Sequence, residues 1–218
     1  MSYSCLEELQ VDLDLHTLDK ISVLSKAGCM YDDGWLIVTD DGICHLFDKD
    51  GNLDDIQKVK HLKEKHIRKD LTKIIIPNSV TKIEELAFYH CCSLTSIRIP
   101  NSVMSIEPEA FYYCISLMNV TIPDSVTSIR SQTFNSCIRL TNMIIPNSVE
   151  SIGNWAFYYC NSLTNIIVPN SVMSIGDGAF YNCDRLTNLI FKSKTLEQVK
   201  KMKYYPWGIV DKSIIRVE

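Results

Sequence analysis

Residues 145–169 read IPNSVESIGNWAFYYCNSLTNIIVP, and this stretch decides the fold because it is one of several nearly equal copies. Its prolines, Pro146 and Pro169, are 23 residues apart. Pro77, Pro100 and Pro123 extend the series backwards at the same step. Phenylalanines repeat in phase at Phe88, Phe111, Phe134, Phe157 and Phe180. So do leucines at Leu94, Leu117, Leu140, Leu163 and Leu186, and cysteines at Cys91, Cys114, Cys137, Cys160 and Cys183. A unit this short cannot bury its own apolar face. Successive units must therefore stack, with equivalent positions forming ladders along the stack.

The period lies in the 20–29 range of leucine-rich-repeat solenoids. Within each unit the alternation Ile97, Arg98, Ile99 has period 2 and predicts a short strand. Pro100 then ends the strand, since proline has no N–H to donate. A second extended piece is expected from Val103 to Ile106. Ala110, Phe111, Cys114 and Leu117 follow at helical spacing, so a helical turn is expected to close the coil. The first strands should form one parallel sheet of six: Ile74–Ile76, Ile97–Ile99, Val120–Ile122, Met143–Ile145, Ile166–Val168 and Leu189–Phe191. The expected architecture is a right-handed β/α coil with a parallel sheet and a small N-terminal α+β cap or module. Its parts would be residues 1–70, the repeats 71–191 and a C-terminal cap 192–218.

The units, from Ile-Pro-Asn or Ile-Pro-Asp through Ser-Val to runs such as AFYYCNSLTNIIVP (156–169), resemble the BspA-type (Treponema-type) leucine-rich repeat. The ending YPWGIVDKSIIRVE (205–218) resembles the C-terminal close of bacterial members. The resemblance implies a curved solenoid used for protein–protein or adhesive contacts, generally without catalysis. Many members are secreted surface proteins.

The chain has 218 residues, 46% hydrophobic and 22% charged, with a net charge of −4. Neither a polyanion nor an anionic membrane is indicated by that total. The charge is polarised, however. Residues 1–55 hold thirteen acids against three bases, whereas residues 57–73 hold seven bases against two acids. No stretch reaches the ~20 apolar residues of a membrane span. The first nineteen residues carry acids where a secretory leader would be basic and then apolar, so a cytoplasmic location is expected. A cell-surface location is expected instead if a leader was removed.

Asp33-Gly34, Asp41-Gly42 and Asp50-Gly51 are turn signals that predict a small meander through Trp35–Thr39 and Ile43–Phe47. Residues 54–69 read as a basic helix and residues 4–24 as another. At the C-terminus, Thr195–Met202 reads as a short helix and Ile214, Ile215 and Val217 as a last strand.

Candidate chemistry is sparse. Asp48-Lys-Asp50-Gly51-Asn52 lacks the acid at position twelve of a calcium loop, where Val59 stands, and reads as a hairpin turn. The ladder cysteines come singly, without the paired spacing of zinc sites, and read as reduced core thiols. No catalytic residue, metal site or cofactor is assigned.

Three surface features remain. The residue between the two core positions of each strand points outward: Ile75, Arg98, Thr121, Ile144, Ile167 and Ile190. Three successive isoleucines make an apolar strip on the expected concave sheet, flanked by Asn119, Asn142, Asn165 and Asn188, and contiguous apolar surface often marks an interface. The second feature is Lys58, Lys60, Lys63, Lys65, Arg68 and Lys69, a candidate contact for RNA, DNA or an acidic protein. The third is a tyrosine ladder, Tyr89, Tyr112, Tyr158 and Tyr181, broken at Asn135 and read as stacking along the solenoid. The leading expectation is a non-catalytic protein-binding module, an intracellular inhibitor or scaffold, docking its partner on the strip. Nucleic-acid or ribonucleoprotein binding through residues 58–69 and a surface adhesin are the alternatives.

Overall fold

The computed structural model describes residues 80–218 continuously. Ahead of them it describes the strands β1 (Cys29–Tyr31), β2 (Gly34–Val38) and β3 (Ile43–Phe47), and residues 61–63, 67, 69, 72–74, 76 and 78. The meander is present: β1 pairs antiparallel with β2, and β2 with β3. It joins the repeats through β5 (Lys73–Ile74), which runs parallel to β3 in the register Ile43↔Lys73. The expected helix over 4–24 and the turn at 48–52 lie outside the described residues.

Each coil contributes two strands. The first belongs to the main sheet: β7 (Ser96–Arg98), β9 (Asn119–Thr121), β11 (Asn142–Ile144), β13 (Asn165–Val168) and β15 (Asn188–Phe191). All are parallel and in register at one repeat. The sixth member is β16 (Ile215–Val217), which pairs with β15 at the C-terminal edge. Of the expected sixth strand, Ile74–Ile76, Ile74 belongs instead to β5. That strand lies beside β7 but is hydrogen-bonded into the meander's sheet. The strands also start one residue earlier than their apolar pattern suggests. Hydrogen bonding fixes strand limits, and the Asn and Ser ahead of each core residue already pair across coils.

A turn follows each strand. The carbonyl of Pro100, Pro123, Pro146 or Pro169 accepts from the valine three residues on, at 3.0–3.1 Å. Proline suits this place because the turn needs its carbonyl and not an N–H. The second strands then form a parallel series: β4 (His61–Leu62), β6 (Lys82–Ile83) and β8 (Ser105–Ile106) in one sheet, and β10 (Ser128–Ile129), β12 (Ser151–Ile152) and β14 (Ser174–Ile175) in another.

Two helix expectations are corrected. His61–Leu62 is a strand paired with Lys82–Ile83, not part of a basic helix. Leu62 and Ile67 are buried with the repeat core, so this segment supplies a first, degenerate coil. Nor does a helical turn close the coils. Alternate residues bond locally, as in Ala110 N–H to Glu107 O at 3.4 Å and Tyr112 N–H to Glu109 O at 3.0 Å. The residues between them donate to the next coil: Glu109 to Ser131 O, Phe111 to Thr133 O and Tyr113 to Asn135 O, at 2.8–3.1 Å. A helix satisfies its N–H groups internally and could not make this third inter-coil ladder. The alternation requires left-handed backbone twice per coil, at Leu86/His90, Glu109/Tyr113, Gln132/Ser136, Trp155/Tyr159 and Gly178/Asn182. Only one of these ten is glycine. Inter-coil hydrogen bonds and packing therefore hold side-chain-bearing residues in a region they ordinarily avoid.

The core is a set of one-residue columns. The rings of Phe88, Phe111, Phe134, Phe157 and Phe180 stack nearly parallel at 4.8–5.7 Å, all fully buried or nearly so. Beside them the ladder cysteines are buried free thiols. Each of the last four donates its S–H to the phenylalanine carbonyl of the preceding coil, for example Cys137 Sγ to Phe111 O at 3.3 Å. Burial pushes the Cys114, Cys137 and Cys160 thiols well up and holds Cys183 at about 12.

The C-terminal end is closed by α1 (Leu196–Lys200), whose N-cap Thr195 forms a reciprocal capping box with Gln198, and by fully buried Trp207. Trp207 O accepts from Phe180 N–H at 3.0 Å, replacing the next coil's carbonyl, and its indole N–H donates to Lys203 O at 2.9 Å.

Candidate functional site

The main sheet fixes the geometry of the candidate strip. Parallel register places Arg98, Thr121, Ile144, Ile167, Ile190 and Arg216 in a single column across β7, β9, β11, β13, β15 and β16. Core residues alternate with this column, so its side chains face away from the core. Ile144 is 82% exposed and Ile167 49%, while Ile190 is half-buried. Five of the six positions were legible in the outward alternation. Arg216 was missed because its strand belongs to the cap and follows no repeat spacing. Ile75 lies outside the described residues.

The asparagine positions form the adjacent column. Asn119, Asn142, Asn165 and Asn188 are in register, and Asn188 Nδ2 donates to Asn165 Oδ1 at 2.6 Å. At the N-terminal end of the main column a cleft of about 590 Å³ opens where β5 lies beside β7. Arg98 lines it together with Ile74, Ile76, Asn78 and Ile99. Ser102 Oγ, also in the wall, makes no hydrogen bond. In the next two coils the equivalent Ser125 and Ser148 donate to Val103 O and Val126 O at 2.6 and 2.7 Å. Ser171 Oγ, in the fourth coil, lacks the contact as well, so its loss is not peculiar to this junction.

The other two features sit elsewhere. Of the basic residues, Lys63 and Lys69 are exposed. Lys69 Nζ donates to Tyr89 O and lies 5.6 Å from that ring's centre. Lys58, Lys60, Lys65 and Arg68 lie outside the described residues. Of the tyrosines, Tyr158 stacks on Tyr181 at 5.6 Å, whereas on the other side of Asn135 the rings of Tyr89 and Tyr112 lie 5.7 Å apart and tilted by 34°. Asn135 itself is buried and accepts from Ser136 Oγ. Among the described residues no helix is long and apolar enough to cross a membrane.

Known proteins agree with this architecture. The model of the BspA-type leucine-rich repeat region matches six copies, over residues 64–187 and 127–205. No functionally curated protein matches the chain. Among solved structures, a leucine rich cell surface protein from Faecalibacterium prausnitzii is similar at 27% identity and a TM-score of 0.62. The match covers 83% of this chain and 43% of that one. The T. pallidum leucine rich repeat protein is similar at 26% identity and a TM-score of 0.55, over 75% and 70% of the two chains. A leucine-rich repeat protein from Bacteroides ovatus, at 24% identity and a TM-score of 0.53, shares the fold over 75% and 46%. The chain thus spans less than half the length of the F. prausnitzii protein.

Proposed function

The chain belongs to the BspA-type leucine-rich-repeat family, and on that premise we propose that it is a non-catalytic module that docks a partner protein on the outward face of its main sheet. The fold is one commonly used for protein interaction, and its family and structural neighbours are generally binding modules without catalysis. The observation that carries the reading is the exposure of Ile144 and Ile167 on adjacent strands in register. Two large aliphatic side chains left in water at neighbouring rungs gain free energy when a partner covers them.

Affinity capture with the tagged chain tests this, using lysate and culture medium of the source organism, with a nuclease-treated parallel. The expected result is one stoichiometric protein, indifferent to nuclease and lost with Ile144→Glu/Ile167→Glu. Retention by that variant refutes the face. Loss with nuclease moves the function to a nucleic-acid partner and to the basic residues of 58–69. A cell-surface setting is the second reading of location, because the F. prausnitzii neighbour is described as a cell surface protein.

A further inference from the structure

The main sheet's face carries no carboxylate in its repeats. Segments 93–100, 116–123, 139–146, 162–169 and 185–192 contain no Asp or Glu, although residues 74–191 hold eight acids against five bases. Three of those five bases, Arg98, Arg139 and Arg185, fall inside these segments. Arg216, supplied by β16, is a fourth arginine, and with Arg98 of β7 it lies within a strand of the sheet. All four are exposed, and none is ion-paired among the described residues. Arg130, away from this sheet, shows the contrast: it pairs with Glu107 at 3.1 Å.

Register gives the arrangement a length. Arg98 and Arg216 stand at the two ends of the column that holds Ile144, Ile167 and Ile190. Five strand steps separate them, about 24 Å at about 4.8 Å per step. Arg139 and Arg185 stand three residues ahead of Asn142 and Asn188, where β11 and β15 begin. In a chain of net charge −4, this face has an apolar centre and an unpaired arginine at each end, and its one acid, Glu218 beyond Arg216, is already paired with Lys192. Guanidinium groups without carboxylates are complemented by a partner that brings them, and arginine is enriched where binding energy concentrates. A single-stranded nucleic acid would need aromatic stacking platforms, and the column offers isoleucine instead.

We propose that the occupant is an acidic segment of a partner protein, apolar in its middle and carrying Asp or Glu at both ends. A helix of about 16 residues, at about 1.5 Å per residue, spans the distance between the end arginines. This rests on the docking reading above and adds the chemistry of the partner.

The test selects random displayed peptides of about that length on the full chain, with counter-selection on Ile144→Glu/Ile167→Glu. The best peptide is then titrated by fluorescence anisotropy, with a (dT)20 oligonucleotide in parallel. Enriched peptides are expected to carry terminal acids around an apolar centre. Their affinity should fall about tenfold or more in Arg98→Ala/Arg216→Ala, and should weaken with added salt. Enriched peptides that are neutral or basic, or that ignore the arginine variant, overturn the acidic partner while leaving the docking face standing. An absence of peptides that distinguish wild type from the isoleucine variant overturns both. Binding of (dT)20 that exceeds the peptides' and is lost in the arginine variant overturns the proposal in favour of nucleic acid.

Discussion

Raising the pH should unfold this protein steeply, and the thiol ladder sets how steeply. Cys114, Cys137, Cys160 and Cys183 have their pKa values raised, first by burial and then, for the first three, by neighbouring thiols. In the unfolded chain a thiol releases its proton near pH ~8.5. Above that pH the unfolded state binds fewer protons than the folded state, so stability falls as pH rises. For Cys183 the loss continues up to its folded value of about 12. Each such group contributes about 1.4 kcal/mol per pH unit, and four together about 5.5 kcal/mol per pH unit. A domain of ordinary stability, about 5–15 kcal/mol, would lose all of it within roughly 1–3 pH units above 8.5. The assay is urea denaturation followed by far-UV circular dichroism at a series of pH values above 8. The informative comparison is Cys137→Ala/Cys160→Ala, which removes two of the four ionisations. Its neutral-pH stability should drop by about 1 kcal/mol per site from the small voids left. Its slope against pH should fall to about half, roughly 2.7 kcal/mol per pH unit. Tyr158, also raised by desolvation, titrates in both proteins and so does not affect the difference. An unchanged slope in the double variant would refute the reasoning, because the alkaline transition would then belong to other groups.

Two further outcomes test the stacking. Phe134, fully buried with a parallel ring on either side at 5.4 and 5.7 Å, should cost about 3–5 kcal/mol when changed to alanine. Chemical denaturation reads this, and a loss below about 1 kcal/mol would mean that the column is not the core. Gly153 lies against the preceding coil, where an added Cβ would sit 2.4 Å from Ser131 N. Gly153→Ala should therefore push two coils apart and lower stability by about 1–3 kcal/mol. Hydrogen exchange should quicken at Gly153 N–H, which donates to Ile129 O at 2.7 Å. A melting temperature equal to wild type would contradict the close approach.

Much of the solenoid was legible because its determinants are local and repeated. The 23-residue step of proline, phenylalanine, cysteine and leucine requires stacking, and the alternation around Ile97 and Ile166 separates core from surface. That alternation alone placed Ile144 and Ile167 outward, and the structure finds both exposed. The terminal helix expected over Thr195–Met202 is present as Leu196–Lys200, with the Thr195–Gln198 capping box at its start.

The tertiary structure decided what depends on partners distant in the chain. The spacing of Ala110, Phe111, Cys114 and Leu117 suits a helical turn, yet the segment's N–H groups bond alternately to their own and to the next coil. The neighbouring coil supplies acceptors that a helix would leave unused, and periodicity within one repeat carries no trace of them. Leu62 enters the core because β6 offers it a pairing edge, although its basic surroundings read as a solvated helix. Arg216 joins the isoleucine column only when the cap strand adds to β15. The sequence by itself determined which residues repeat and which face the core. Inter-coil hydrogen bonds, formed only on stacking, decided how each coil closes and which residues end the exposed column.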